Sequence, residues 1–580
     1  MDIQYTSEQN AQILIALLKA NNIHRVIISP GSTNVCFAAS VQHDPFFDLY
    51  SSIDERSAAY MACGMAAEAG EPIALSCTGA TASRNYMPGL TEAYYRHLPV
   101  LAITSTQPRE RVGQNIPQVL DRSVFPRDIV KKSVYIETVH NKEKEWAANV
   151  LINSALIELR RNGGGPVHID LETAYSPHFS TPKLPDTRMI EFYSNPVFFP
   201  DIDSDRVAIF VGSHNAWNEK TTKLVDKFCE LYNGVVLCDH TSNYWGKYRI
   251  LPNVLSVQRT NRSTLLDIDF LIHLGEMSGA YMQIEPKTVW RVHPDGEVRD
   301  TFKHLSCVFQ TDEDTFFEIM NEKARNKGNN SYYNEWEKQC KKASDEIGEL
   351  PFSNAWIASQ SAGLLPKGAA IHFGILNSFR SWNFFEITEG TQCYCNTGGF
   401  GIDGCVSALI GASLVSKNKL FFGVVGDLAF FYDLNSIGNR HIGNNIRLIV
   451  VNNGKGNEFR NYGSWVAPLG EYADDYICAA RHFGYKSSIV IKQYAEALGF
   501  EYFSAATKQD FFAVKKDFFA AQEKEKPMIL EVFTDTVNES RSLEMVINAC
   551  GGAASSARDI AKNIIGENGI QMIKKIIGNN

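Results

Sequence analysis

The residues best suited to chemistry stand where an apolar run, Phe421–Val425, gives way to Gly426-Asp427-Leu428. Asn453 follows 26 positions beyond Asp427, again at the end of an apolar run. In a parallel α/β sheet, ligands gather at the carboxyl ends of strands, so a carboxylate from one strand and an amide from the next can share a hard cation. Mg²⁺ suits such a pair, because it takes oxygen ligands in an octahedron, few from protein and the rest from water and phosphates. The Lys455 backbone carbonyl offers a further oxygen where Gly454 and Gly456 allow a tight turn. Asp, Asn and Gly are also ordinary turn residues, so the pair alone fits a helix cap and a plain loop equally well.

The surrounding residues favour the cation. A Gly-Asp with a later Asn at this spacing resembles the diphosphate-anchoring motif of thiamine-diphosphate enzymes. Ser29-Pro30-Gly31-Ser32, Asp54-Glu55-Arg56-Ser57-Ala58-Ala59, Cys77-Thr78-Gly79, Asn377-Ser378, Gly401-Ile402-Asp403-Gly404 and Asp433-Leu434-Asn435 resemble one family in particular. That family is the 2-succinyl-5-enolpyruvyl-6-hydroxy-3-cyclohexene-1-carboxylate synthases of menaquinone biosynthesis. The resemblance covers both terminal thirds, while the middle third agrees in general pattern only.

The resemblance implies thiamine diphosphate and Mg²⁺ as cofactors, with Mg²⁺ ligands at Asp427, Asn453 and the Lys455 carbonyl. It implies cofactor contacts at Asn377, Ser378, Ile402, Gly426 and Phe459, Ile402 being the apolar wedge under a bent cofactor. Glu55 would be the catalytic residue: hydrogen-bonded to a pyrimidine ring nitrogen in a dry pocket, a carboxyl favours the imino tautomer that deprotonates the thiazolium. The cofactor would then act as the electron sink for decarboxylation of a 2-oxoacid. Without the rest of the pattern, Asp54-Glu55-Arg56 would read as a solvated helix start. In such enzymes the site forms between subunits, so a homodimer or homotetramer is implied.

Three positions depart from the family pattern, each by loss of an arginine. Thr33-Asn34 follows Ser32 where the family has Arg, Thr106-Gln107-Pro108 replaces Asp-Arg-Pro, and Asn396-Thr397-Gly398 replaces Asn-Arg-Gly. A planar guanidinium clamps a carboxylate through charge-assisted paired bonds that neutral groups do not reproduce. The expected substrates are therefore less anionic: a small 2-oxoacid such as pyruvate as donor, and a neutral carbonyl-bearing or polyhydroxylated acceptor. Candidate substrate contacts are Ser32, Thr33, Asn34, Thr78, His97, Gln107, Gln118, Thr397 and Glu458. His97, Gln114 and Gln118 are expected near the first strand ends, where they could help with proton transfer. Glu458 stands beside the metal loop where the family usually has an apolar residue, and Lys455 where glycine is common, although both also fit a solvent-facing loop. The reading is decarboxylation with carboligation. Plain decarboxylation to an aldehyde, the menaquinone-pathway synthase itself, and a cofactor-binding subunit without catalysis stay open.

Strands must end at these residues to position them. Arg25–Ser29, Pro72–Ser76, Pro99–Ile103 and Pro166–Asp170 are short apolar runs that end in turn formers, and Glu55–Ala67 and Tyr86–Tyr95 carry helical spacing between them. A second series has strands at Val207–Val211, Gly234–Cys238, Phe270–Leu274 and Thr288–Val292 and closes with the helical stretch Asn334–Gly348. The third has Ala369–Phe373, Leu420–Val425, Ile446–Val451 and Met528–Val532. Pro177–Pro200 reads as a linker. The expected fold class is α/β, with three consecutive doubly wound parallel-sheet domains. Their bounds are 1–185 (pyrimidine-binding), 186–348 (middle) and 349–548 (diphosphate-binding), followed by a 549–580 extension. The extension places Ile560, Ile564, Ile565 and Ile573 on an interrupted amphipathic pattern suited to docking on the protein or a neighbouring subunit.

Composition agrees with this class. At 580 residues the chain exceeds one hydrophobic core. A net charge of −9 gives no basic surface for nucleic acid. No run is apolar enough to span a membrane, and the N-terminus lacks a signal-peptide pattern, so a cytoplasmic protein is expected. The twelve cysteines have no paired metal-ligand spacing and are expected to be reduced, mostly buried and structural. Gly212-Ser213-His214-Asn215 behind Val207–Val211 is no dinucleotide fingerprint, so no flavin is expected in the middle domain.

Overall fold

Runs rich in Val, Ile, Leu and Phe pair into three parallel sheets of six strands each. The computed structural model describes every residue except 1–3, 188, 190–198, 281, 297–298, 300, 303, 325–327, 483–486 and 552–580. The first sheet holds β1 (Arg25–Ile28), β2 (Asp48–Ser51), β3 (Ile73–Cys77), β4 (Val100–Thr106), β5 (Lys132–Ile136) and β6 (Val167–Glu172), in the order β2-β1-β3-β4-β6-β5. The middle sheet holds β7 (Val207–Val211), β8 (Gly234–Cys238), β9 (Arg249–Ile250), β10 (Asp267–Leu274), β11 (Glu285–Val292) and β12 (Leu305–Phe309). Its order, β12-β11-β10-β7-β8-β9, reverses direction between β7 and β10, which makes a topological switch point there.

The third sheet holds β13 (Ala370–Phe373), β14 (Gln392–Cys395), β15 (Phe421–Gly426), β16 (Ile446–Asn452), β17 (Glu501–Ala505) and β18 (Met528–Phe533). Its order, β14-β13-β15-β16-β18-β17, repeats that of the first sheet strand for strand. Interior strands such as β3, β4, β6 and β16 are buried at every residue, as expected of parallel strands covered by helices on both faces.

The three units do not keep separate cores. One cluster joins Ala58, Met61, Met65, Leu75 and Leu90 of the first unit to Val406, Leu409, Ile410 and Leu448 of the third. Another joins Leu237, Ile268 and Leu271 of the middle unit to Trp356, Phe379, Trp382 and Phe422 of the third. The third unit therefore shares a core with each of the other two. Its tightest seam is the crossing of helix Glu55–Ala69 with helix Cys405–Val415, both rich in small residues. A Cβ on Gly64 would lie 1.9 Å from the Ala408 carbonyl oxygen, and one on Gly411 would lie 2.1 Å from that of Met61.

The expected linker begins on the first unit, where Tyr5 bridges Thr181 in antiparallel fashion. The end of the third unit seats on the middle one through Cys550 N–H to Gln258 Oε1 at 2.9 Å. The amphipathic isoleucines expected in the extension lie outside the described residues. All twelve cysteines are free, nine of them buried. Among the described residues no helix is long and apolar enough to cross a membrane.

Candidate active site

β15 and β16 are neighbours, with Gly426 opposite Val451, so Asp427 and Asn453 leave the same edge of the third sheet side by side. Asp427 starts helix Asp427–Tyr432 and is 5% exposed. Burial pushes its carboxyl up to about 7, against hydrogen bonds from the Leu428 and Gly454 backbone N–H groups. The Gly454 bond shows that the loop after β16 folds back onto the aspartate. Gly454 adopts φ +77° and also donates to Asn452 Oδ1 at 3.2 Å, while Asn452 Nδ2 donates to Glu531 at 2.7 Å.

The loop is held on its far side as well. Lys455 Nζ pairs with Asp474 Oδ2 at 2.7 Å, and Gly456 N–H donates to the Cys478 carbonyl at 2.6 Å. Arg380 donates to Glu458 through both terminal nitrogens, at 2.7 and 2.9 Å. Lys455 and Glu458 thus have fixed partners, and neither side chain swings free in solvent. Asn377 and Ser378 open helix Asn377–Trp382 after Leu376, whose φ of +68° is unusual for a branched residue. Asn461 Nδ2 donates to Asn377 Oδ1 at 3.0 Å, Asn377 Nδ2 donates to the buried Glu539 at 3.3 Å, and Ser378 Oγ accepts from Asn354 at 3.2 Å. Ile402 is half-buried against both merged cores, and Phe459 is exposed.

The first unit presents a second set of strand ends. Ser32, Glu55, Thr78 and Gln107 follow β1, β2, β3 and β4 on one edge. Asp54 caps helix Glu55–Ala69 by accepting from the Arg56 and Ser57 N–H groups, which leaves the half-buried Glu55 carboxyl to accept from Asn85 Nδ2 at 3.5 Å. Thr33 Oγ1 and Asn34 Oδ1 are buried without a partner, and Gln107 Oε1 accepts from Arg111 at 2.6 Å. Gln114 and Gln118 lie on an exposed loop. Thr397 is fully buried, its hydroxyl unpartnered, near Gly279 of the middle unit.

His97 stands apart from this set, contrary to the expectation. It precedes β4 and so lies at the opposite, amino end of the sheet, where it meets Glu276 and Asp295 of the middle unit. Sequence reasoning also passed over Arg122. Its guanidinium donates to Asp170 through Nε and Nη2 at 3.2 and 3.0 Å, leaving Nη1 buried and unpartnered beside Gly79. No local pattern marks it, because Asp170 is 48 positions away.

Residues 9–124 match the thiamine pyrophosphate enzyme N-terminal TPP binding domain, and residues 377–532 match the C-terminal TPP binding domain. A 2-succinyl-5-enolpyruvyl-6-hydroxy-3-cyclohexene-1-carboxylate synthase of Bacteroides fragilis is 31% identical over 562 residues, spanning 93% of this chain and 98% of that protein. This chain belongs to the thiamine-diphosphate enzyme family. A like-named synthase of Christiangramia forsetii is 28% identical over 609 residues, covering 93% of this chain and 99% of its own. Among solved structures, the thiamine diphosphate-dependent 4-hydroxybenzoylformate decarboxylase of Rhodococcus jostii RHA1 superposes with a TM-score of 0.65. It covers 91% of this chain and 99% of its own at 16% identity, a likeness of fold.

The third unit fits what a thiamine-diphosphate enzyme must hold. Asn453 Oδ1 is buried with no hydrogen-bond partner among the described residues, beside a carboxylate that burial pushes up to about 7. Two such oxygens are the donor set of a hard divalent ion. A Cβ on Gly426 would meet nothing within 4 Å, so open space lies at the strand end where a diphosphate would sit.

Proposed function

We propose that this protein uses thiamine diphosphate and Mg²⁺ to decarboxylate a small 2-oxoacid and to join the remaining acyl fragment to a carbonyl acceptor. The observation that carries the reading is the orphaned Asn453 Oδ1 beside buried Asp427. Bound thiamine diphosphate would supply the carbon nucleophile and the electron sink for decarboxylation. Asp427, Asn453 and the Lys455 carbonyl would hold Mg²⁺, and Asn377, Ser378 and Gly426 would seat the diphosphate. Ile402 and Phe459 would shape the space for the rings, and Glu55 would hold a proton against a pyrimidine nitrogen.

Within one chain, Glu55 accepts from Asn85 of its own unit, and among the described residues no hydrogen bond or ion pair joins it to Asp427, Asn453 or Lys455. Trp465, Tyr472 and Tyr476 beyond the metal loop are 89%, 86% and 97% exposed, and Ile53 beside Glu55 is 86% exposed. Such apolar surface at both halves of the site supports a homodimer or homotetramer in which Glu55 of one subunit serves the cofactor of another. Light scattering should give at least twice the chain mass, and a monomer that turns over substrate would refute the shared site. Free, buried cysteines accord with a reducing cytoplasm.

The donor reading rests on the buried neutral groups Thr33, Asn34 and Thr397, which offer hydroxyls and an amide where guanidinium clamps would be needed for a dicarboxylate. A second reading is the menaquinone-pathway synthase, favoured by the relatives that carry that name along nearly the whole chain. Carbon dioxide release from pyruvate and from 2-oxoglutarate, with and without carbonyl acceptors, separates them. Faster turnover of pyruvate with a coupled product by mass spectrometry is expected. Preference for 2-oxoglutarate would favour the second reading, and rapid aldehyde release that acceptors leave unchanged would leave a plain decarboxylase.

A further inference from the structure

A separate cluster of metal-ligating side chains lies between the first and middle units. Glu276 follows β10 and His293 follows β11, at carboxyl ends adjoining the β7–β10 switch point. Ligands of open α/β sheets collect at such points. His97 of the first unit closes the group, so that one nitrogen or oxygen from each residue lies within 4.8 Å of the others. His293 Nε2 is 2.7 Å from Glu276 Oε1, and His97 Nε2 is 3.3 Å from Glu276 Oε2.

The orientation of both imidazoles is informative. A metal-bound histidine usually donates its other ring N–H to a carboxylate or a backbone carbonyl, which fixes the tautomer and aims the free nitrogen at the metal. His293 has Asp295 Oδ1 at 2.9 Å from Nδ1, and His97 has the Gly164 carbonyl at 3.2 Å from Nδ1. Both Nε2 atoms therefore approach Glu276, that of His97 with Asp295 Oδ2 also 3.6 Å away, while His293 Nδ1 is held by Asp295, whose backbone N–H lies 3.2 Å from it, and His97 Nδ1 by the Gly164 carbonyl. We propose that His97, Glu276 and His293 bind a divalent transition-metal ion of the Zn²⁺ type that ties the first unit to the middle one, with Asp295 as the positioning residue behind His293.

The surrounding charges choose the metal class. Arg291 Nη2 lies 3.9 Å from Glu276 Oε2, and Arg299 pairs with Asp295, so the carboxylates are already largely compensated. A hard ion such as Mg²⁺ draws on carboxylate charge and gains little here, whereas Zn²⁺ draws on imidazole nitrogen. A cavity of about 1000 Å³, lined by His97, Glu276, Arg291 and Phe302, borders the cluster and leaves room for water to complete the ion's shell. The competing occupant is a proton shared by His293 between the two carboxylates.

The test is calorimetric titration of tag-free, chelator-treated full-length protein with Zn²⁺ in excess Mg²⁺. One equivalent per chain is expected, with a visible absorption band when Co²⁺ replaces Zn²⁺. His97→Ala and Glu276→Gln should each abolish that uptake, Asp295→Asn should weaken it roughly 10–100-fold, and Asp427→Asn, at the cofactor site, should leave it intact. No Zn²⁺ uptake by the wild-type protein, or uptake that His97→Ala and Glu276→Gln both retain, would overturn the proposal. The wild-type titration decides even if a variant fails to fold.

Discussion

Glu458 and Arg380 form a two-pronged ion pair that fastens the loop after β16 to the helix opened by Asn377 and Ser378. The pair joins the segment that carries the proposed metal loop to the one that carries the proposed diphosphate contacts Asn377 and Ser378. About a quarter of each side chain is exposed, at 27% for Glu458 and 29% for Arg380, so its worth to global stability is small, about 1 kcal/mol or less. Its value lies in local order. Glu458→Ala is expected to leave the apparent Tm within a few degrees while weakening thiamine diphosphate binding in the presence of Mg²⁺, read by calorimetry.

Glu55→Gln is expected to separate binding from activation. The amide keeps the shape but cannot hold the proton as a carboxyl does, so turnover should fall by roughly 100-fold or more. Cofactor affinity should stay within a few-fold of wild type, because the proposed diphosphate anchors are on another unit. Wild-type turnover of a good 2-oxoacid substrate by this variant would remove Glu55 from the mechanism.

Gly411→Ala tests the seam between the first and third units. The added methyl would point at the Met61 carbonyl oxygen, 2.1 Å away, and backbone cannot move aside as a flexible side chain does. Overpacking of this kind costs about 1–3 kcal/mol. A lowered unfolding midpoint in urea is expected, with no change for Gly363→Ala, where a Cβ meets nothing within 4 Å.

Glu92 should make stability depend on pH. Its carboxyl is fully buried and accepts from Gly399 N–H at 2.6 Å, and burial outweighs Arg96 in holding it up at about 7. An unfolded glutamate titrates near about 4.3, so between that value and about 7 the folded chain binds the extra proton. This contribution is complete at low pH and is lost as pH rises through 7. Glu92→Gln, which keeps an acceptor for Gly399, should flatten the decline in apparent Tm between pH 5 and 8 relative to wild type, in a melting series across roughly that range.

Twelve strands were legible as apolar runs, and the six that escaped, β2, β5, β9, β12, β14 and β17, are the two edges of each sheet. Edge strands are covered on fewer sides, and β2, β12 and β17 accordingly consist mostly of exposed and half-buried positions without a continuous apolar run. An interior strand of a parallel sheet must be apolar throughout, whereas an edge strand need not be.

The candidate cofactor anchors stand out in the sequence for a related reason. Gly426-Asp427 and Asn453 sit at ends of two interior strands, so the runs that announce the strands also locate the residues. The amino-acid sequence alone thus determined the class of sheet, the carboxyl edge of β15 and β16 as the place of the candidate metal ligands, and the absence of arginine at Thr33, Gln107 and Thr397. Tertiary structure decided which distant side chains meet: Arg122 with Asp170, Glu458 with Arg380, and His97 with Glu276 and His293. It also decided that the three units share cores. Strand periodicity is written in neighbouring residues, but a meeting of side chains 48 to 196 positions apart depends on how whole sheets dock, and no local pattern encodes that.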